Sequence, residues 1–478
     1  SHAASAFYPS PFKEAAILTL DAVGEWTTTS VALGNNNSLK IEKELNFPHS
    51  IGLLYSSFTY YLGFKVNSGE YKVMGLAPYG TPKYVDLIKN NLIHIYDDGS
   101  FKLNIDFFDF CTGLKMTNKN FNYLFGGPPR KPESKITQKE MDIAASIQVV
   151  TEEIVLKIAK QVSIETGQKN LCLAGGVALN CVINGTLNKK KIFENIWIQP
   201  AAGDAGGALG AALGIYYLHY KKKRVIENNK DSMKGSLLGP KFDNLKIEKD
   251  LISLKANYKK LNTEELINIV AKELKLGKAI GWMQGRMEFG PRSLGNRSII
   301  ADPRSKTMQR DLNLKIKFRE NFRPFAPSIL KEYCSEWFNL DGDSPYMLLV
   351  AEISNKKKIK SENINSNIIG LEKLNQIRSI IPAVTHVDYT SRIQTVDEDH
   401  NKKYYNLIKK FNELTDCPII VNTSFNIRGE PIICSPKDAF KCFMGTNLDL
   451  LVIENFIMYK NDQNKNIYKT YITDYNLD

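Results

Sequence analysis

The chain draws most of its positive charge from lysine, 51 Lys against 12 Arg, yet seven of those arginines fall between residues 286 and 323. Arg286, Arg292, Arg297, Arg304, Arg310, Arg319 and Arg323 are joined there by Lys306, Lys315 and Lys317, opposed only by Glu288, Asp302, Asp311 and Glu320. Guanidinium is planar, permanently charged and forked, so it matches phosphate or carboxylate oxygens two at a time. Gly285, Gly290, Pro291 and Gly295 interleave the run and predict turns whose backbone N–H groups approach an anion. The segment reads either as an anion site or as a web of Arg–carboxylate bridges holding loops together. The excess of cations over acids favours the anion site.

The elements around these residues alternate. Residues 15–20 read as a buried strand ending in the turn Asp21-Ala22-Val23-Gly24, and residues 143–162 as a helix. Leu171-Cys172-Leu173 is a short strand running into Gly175-Gly176, followed by a predicted helix over 177–187. A helix over 203–217 is rich in Gly and Ala, which suits close approach of its backbone to a neighbour. Later, residues 263–276 predict a helix, and 279–282, 418–421 and 450–453 predict strands, the second ending at Asn422-Thr423-Ser424. Residues 356–375 read as a loop or weakly ordered insertion. The basic run Lys221–Arg224 reads as a solvated helix end. The pattern predicts an α/β protein with ligands at strand C-termini, divided into residues 1–222, a linker 223–240, and residues 241–478.

Composition narrows the class. With 43% hydrophobic and 24% charged residues among 478, the chain can bury ordinary cores, which excludes a disordered or fibrous protein. The net charge of +12 permits nucleic acid, anionic membrane or phosphorylated small molecules as partners. Concentration of arginine in one segment argues against a nucleic-acid face. Seven cysteines without CxxC spacing predict reduced thiols and a cytoplasmic location. Neither a membrane-spanning run nor a signal peptide is visible.

Several motifs then converge. Residues 285–299 (GRMEFGPRSLGNRSI), 319–327 (RENFRPFAP) and 421–431 (VNTSFNIRGEP) resemble the bacterial O-carbamoyltransferases, as do residues 71–80 (YKVMGLAPYG), 173–184 (LAGGVALNCVIN) and 200–209 (PAAGDAGGAL). The resemblance is colinear and covers nearly the whole chain. It implies an actin-like (ASKHA) domain followed by a YrdC-like α/β domain. In the latter, ATP (with Mg2+) and carbamoyl phosphate are converted to carbamoyl-adenylate, releasing pyrophosphate and phosphate. The actin-like domain then passes the carbamoyl group to a hydroxyl of a small-molecule or glycan acceptor.

By the same resemblance Lys317 and Arg319 form the K-x-R pair, and Ser424 and Asn426 the S-x-N element, that hold phosphates. Arg286 and Arg292 join Lys317 and Arg319 as expected catalytic groups. Asn296, Arg297, Arg323, Asn422 and Thr423 are expected to bind substrate or nucleotide, and Gly175, Gly176 and Asn180 to flank the adenylate. His2, Asp21 and Asp204 are the implied ligands of a divalent metal, typically Fe2+. The family pattern also implies a further lobe upstream of Ser1 carrying another metal histidine. On that expectation the actin-like domain here is incomplete, adenylate formation outlasts carbamoyl transfer, and a homodimer or a second chain could complete the fold. Two other readings stand beside this one: a tRNA threonylcarbamoyladenosine-type modification enzyme, and a degenerate nucleotide-binding partner subunit.

Overall fold

Strand β1 (Glu14–Leu20) is buried at six of its seven positions, the signature of a strand covered on both faces. The computed structural model describes residues 1–227, 230–359, 368–464 and 475. In it the chain divides into two units, one of Ser1–Ser232 with a short segment ending at Lys373, the other beginning at Met233. In the first unit β1 pairs antiparallel with β2 (Thr27–Asn35), which pairs antiparallel with β3 (Ser38–Asn46). A small hairpin, β4 (Ile93–Ile95) with β5 (Phe101–Leu103), stands apart. On its other side β1 pairs parallel with β6 (Asn170–Ala174), and β6 with β7 (Asn195–Ile198). The sheet order is β3-β2-β1-β6-β7. The C-terminal ends of β1 and β6 are aligned, with Thr19 opposite Ala174, so Asp21 and Gly175-Gly176 emerge together.

The helix expected over 143–162 extends to Gln138–Thr166. Glu140 accepts the Thr137 N–H at its start, at 2.7 Å, and Gly167 ends it in the left-handed conformation. The helix expected over 177–187 is divided. A 3-10 turn, Gly176–Leu179, precedes an α-helix, Cys181–Lys190. Asn180 stands between them because its side chain accepts the Ile183 N–H at 3.2 Å, and asparagine gains more as a cap than inside a helix.

Arg224 corrects a second expectation. Lys221, Lys222 and Lys223 are exposed, but Arg224 is buried. Its guanidinium lies over the Phe7 ring at 4.3 Å and donates to the carbonyls of Phe7, Tyr8, Ser10 and Phe12. It thereby closes the open end of the short helix His2–Phe7. Unsatisfied carbonyls at a buried helix end require such donors.

The second unit holds β8 (Lys259–Lys260), β9 (Ile280–Met283), β10 (Arg297–Ala301), β11 (Ala326–Leu330), β12 (Leu349–Glu352), β13 (Thr390–Val396), β14 (Ile419–Ser424), β15 (Leu450–Ile453) and β16 (Phe456–Tyr459). They form one mixed sheet in the order β12-β13-β11-β14-β10-β9-β15-β16-β8. Its apolar cluster includes Trp282, Ile299, Ile300, Ile420, Val421 and Leu451 from the central strands and Leu266, Val270, Leu407 and Phe411 from the helices Thr263–Lys275 and Glu398–Thr415. β10 pairs antiparallel with both β9 and β14, placing Ser298 opposite Trp282 and Ser424. The start of β10 and the end of β14 thus lie side by side at the same end of the central strands. Of the 356–375 segment, residues 360–367 lie outside the described residues, and the flanks form short 3-10 turns at Asn355–Lys357 and Gly370–Asn375. No helix among the described residues is long and apolar enough to cross a membrane.

Candidate functional site

In the first unit the folded sheet brings His2, Asp21 and Asp204 together, with one ligand atom from each within 4.8 Å of the others. Three local features achieve this. Asp21 follows the buried β1. Asp204 opens the helix Asp204–Gly214, whose Gly210 lets the helix His2–Phe7 approach so closely that a Cβ there would lie 2.0 Å from the Ser1 carbonyl oxygen. Arg224 fixes the far end of the His2 helix. His2 Nε2 lies 3.0 Å from Asp21 Oδ2, and the Gly176 N–H donates to Asp21 Oδ1 at 3.2 Å.

Burial pushes the Asp21 carboxyl up. The His2 hydrogen bond and charge, with N–H bonds from Gly176 and Ala22, outweigh it and hold the group below the usual carboxylate range. Asp21 is therefore anionic, as a metal ligand must be. Among the described residues His2 Nδ1 is buried with no hydrogen-bond partner, an orphan that a bound group would satisfy. One imidazole and two carboxylates suit a first-row divalent ion, and the residues present fit one.

Gly175 adopts φ +90°, and a Cβ there would meet the Leu20 carbonyl oxygen at 2.2 Å. Only glycine lets the β6 end pass this close to the β1 end. Asn180 is turned inward, donating to Gln148 Oε1 at 3.1 Å. Gln148 also accepts from the Tyr55 hydroxyl at 3.0 Å and donates to Glu152 at 2.9 Å. Burial raises the Glu152 carboxyl.

In the second unit Lys317 is buried beneath the end of β14. Its Nζ donates to Ser424 O (2.7 Å) and Oγ (3.2 Å), and to Asn426 O (2.8 Å) and Oδ1 (2.6 Å). The lysine follows a π-helical turn, Leu312–Ile316, a local widening common where a side chain must be re-aimed. Burial drives the Lys317 ammonium well down, and the Arg319 and Arg323 charges push it the same way. Arg319 Nε donates to Asn313 Oδ1 at 2.7 Å, and its guanidinium lies over Phe325 at 4.8 Å. Glu320 is shared by Arg323 and Arg428, each at 3.7 Å. Lys317, held by Ser424 and Asn426 and with the Arg319 and Arg323 charges close enough to act on it, makes a cationic cradle at a strand end, a chemistry that suits phosphoryl oxygens.

The other expected residues lie differently. Arg297 is fully buried, and its fork donates to the carbonyls of Gln284 (2.7 Å), Asn296 (2.9 Å) and Pro240 (3.2 Å). Asn422 is buried against Ser293, Ser328 and Gln394. Thr423 is half-buried opposite Ile299. Asn296 donates to the Arg286 carbonyl at 2.8 Å and accepts from Asn401 at 2.8 Å, so it braces the loop. Arg286 is exposed, with one bond to the Gly239 carbonyl, and Arg292 is half-buried on the same loop.

The glycine-rich loop does bind an anion through its backbone, but that anion is the chain's own. Glu288 Oε1 accepts the N–H groups of Leu294 (2.6 Å), Asn296 (2.9 Å) and Arg297 (3.3 Å). This residue was not singled out in the sequence, where it registered only as one of four opposing acids. Its position just before Gly290-Pro291 and the turn to Gly295 is the available signal. Arg304 forks onto Asp302 at 2.7 and 3.0 Å, so the bridge reading applies to part of the arginine run.

The Lys317 cluster lies at the end of β14 and the Asp21 cluster at the end of β1, the strand C-termini where α/β proteins place ligands. The carbamoyltransferase N-terminus family matches residues 1–213, and the carbamoyltransferase C-terminus family matches residues 271–460. The chain belongs to the carbamoyltransferase family and is a transferase. It is 57% identical to the uncharacterized protein sll1178 of Synechocystis, over 97% of this chain and 75% of that protein. It is 37% identical to the nodulation protein NolNO of Sinorhizobium fredii, over 96% of this chain and 63% of that protein. Against the nodulation protein NolO of Bradyrhizobium diazoefficiens the identity is 36%, over 96% and 78%.

Proposed function

We propose that this chain is an O-carbamoyltransferase that makes carbamoyl-adenylate from carbamoyl phosphate and ATP, then transfers the carbamoyl group to an acceptor hydroxyl. The observation that carries the reading is the cradle of Lys317, Arg319, Arg323, Ser424 and Asn426 at the end of β14. In the first step water takes the phosphoryl group of carbamoyl phosphate, leaving carbamate and phosphate; a carbamate oxygen then bonds to the α-phosphorus of ATP as the bond to pyrophosphate breaks. The cradle cations hold the triphosphate and offset the charge that develops on its oxygens. In the second step the acceptor oxygen bonds to the carbamoyl carbon, AMP leaves with its electron pair, and the hydroxyl proton is lost.

The order β3-β2-β1-β6-β7, three antiparallel strands flanked by two parallel ones, supports the actin-like reading of the first unit. The nine-stranded mixed sheet, with its cradle at the end of an interior strand, is compatible with a YrdC-like second unit. His2, Asp21 and Asp204 would hold the divalent metal, with Fe2+ the expected ion. A bound divalent ion supplies Lewis acidity toward a carbonyl oxygen. The acceptor is a small molecule or glycan.

Mixing the chain with ATP, Mg2+ and carbamoyl phosphate tests the first step. Pyrophosphate and phosphate should appear one to one, and Lys317→Met should abolish both. Pyrophosphate release that is indifferent to carbamoyl phosphate would reject the reading.

A further inference from the structure

The turn leading from Asp21 to β2 ends in an aromatic side chain held out in water. Trp26 is 67% exposed, whereas Trp197, Trp282 and Trp337 are at most 7% exposed. A single exposed aromatic is ordinary on a surface, but this one is built into place. Its ring stacks on Phe47 at 5.8 Å and 7°, and Phe47 meets Phe110 edge-on at 6.4 Å. The Phe47 N–H donates to the Trp26 carbonyl at 2.8 Å. Phe47 thus lies parallel to the indole with a lateral offset, and most of the Trp26 side chain stays open to solvent.

The turn itself is closed. The Asp21 N–H donates to the Thr28 carbonyl at 2.9 Å and the Gly24 N–H to the Thr27 carbonyl at 3.0 Å. The Thr28 hydroxyl donates to the His49 carbonyl at 2.6 Å. Antiparallel partners are separated by about 5.5 Å at Cα, and two further residues reach about 7 Å at most. Trp26 thus stands within about 12 Å of Asp21, the carboxylate shared with the His2–Asp204 cluster. Its rim is polar: Glu25, Glu44 and Asn46 are exposed around it.

A broad protein partner needs a continuous apolar patch. A backed ring with polar groups at its edge instead suits a flat amphipathic ring, with C–H groups on one face and hydroxyls around it. We propose that Trp26, backed by Phe47, is the stacking platform for a sugar ring of the acceptor, beside the His2–Asp21–Asp204 cluster. This inference rests on the carbamoyl-transfer reading above.

The test uses the full chain with chitotetraose, cellotetraose and maltotetraose as probes and sorbitol as the non-ring control. Because the other tryptophans are buried, acrylamide quenching of the indole emission reports mainly on Trp26. At least one tetrasaccharide should give a saturable blue shift and protect the emission from acrylamide, and sorbitol should give neither. Calorimetric titration of Trp26→Ala with that sugar should show binding weakened about tenfold or more, with Trp26→Phe in between. Two results would overturn the proposal: no saturable change with any of the three sugars, or an indole already shielded from acrylamide in the unliganded chain. Pyrophosphate release measured without sugar on the same sample separates the two claims. Release without a sugar response rejects the platform alone; a sugar response without release keeps Trp26 as a sugar site but rejects the transfer reading and, with it, the acceptor role.

Discussion

Replacing Glu288 by alanine should unlatch the loop that carries Arg286 and Arg292. All three of its backbone partners converge on Oε1, and Leu294, Asn296 and Arg297 are each at most 5% exposed. Water therefore cannot readily replace the lost acceptor. A buried donor left unsatisfied costs about 1–3 kcal/mol. Two of the three contacts are short and the third is long, which sets the expected loss for Glu288→Ala at about 3–6 kcal/mol. Glu288→Gln keeps an acceptor oxygen where Oε1 stands and removes only the charge. Since charge-assisted bonds are roughly twice as strong as neutral ones, the cost should fall to about 1–2 kcal/mol.

Urea unfolding followed by the emission of Trp282 and Trp337, both buried in the second unit, reads the difference. The midpoint should fall in the order wild type, Gln, Ala, with an unchanged slope. An alanine variant within about 1 kcal/mol of wild type, or a glutamine variant as damaged as alanine, would refute the claim that the latch is a backbone acceptor.

Three further outcomes follow from the geometry. Gly175→Ala forces a Cβ against the Leu20 carbonyl at φ +90°; strain and clash together should cost about 3 kcal/mol or more, lowering the melting temperature by about 6–12 °C in calorimetry. Lys460, which donates to Thr446 O at 2.8 Å beneath the Phe443 ring, has its pKa lowered to about 8 by burial, with Cys442 and Asp449 opposing the shift. The unfolded chain then binds more protons than the folded one above pH 8, so wild-type stability should rise relative to Lys460→Met as pH climbs from about 8 to about 10.4, by of order 2 kcal/mol; a flat or falling difference would contradict this. Gly210→Ala should push the His2 helix away from Asp204, and titration calorimetry with Mn2+ should show affinity reduced about tenfold or more, as it should for His2→Ala.

Much of the framework was legible because it rests on local patterns. The continuous apolar run of β1, the glycines after β6 and the apolar residues 450–453 each mark a strand or its end by composition alone. The division at Asn180 was missed because the apolar residues on either side keep helical spacing, and only the capping bond reveals the break. Arg224 was read by its three lysine neighbours, although its partners lie more than 200 residues away in the chain. The arginine run shows the same limit. Charge counting marks the cationic segment but cannot tell Arg297, committed to carbonyls, from Arg319 and Arg323, whose charges act on Lys317. That distinction arises only when β10 and β14 pair. Convergence of His2, Asp21 and Asp204 likewise depends on a helix crossing at Gly210, which spacing alone cannot show.

The most direct test of the proposed chemistry is which phosphate bond of ATP breaks. Mass spectrometry of a rapid-quench mixture of the chain, ATP, Mg2+ and carbamoyl phosphate should show carbamoyl-adenylate with pyrophosphate, and neither in the Lys317→Met variant. Formation of ADP in place of the adenylate, or adenylate formation undiminished in Lys317→Met, would contradict the role assigned to the cradle at the end of β14.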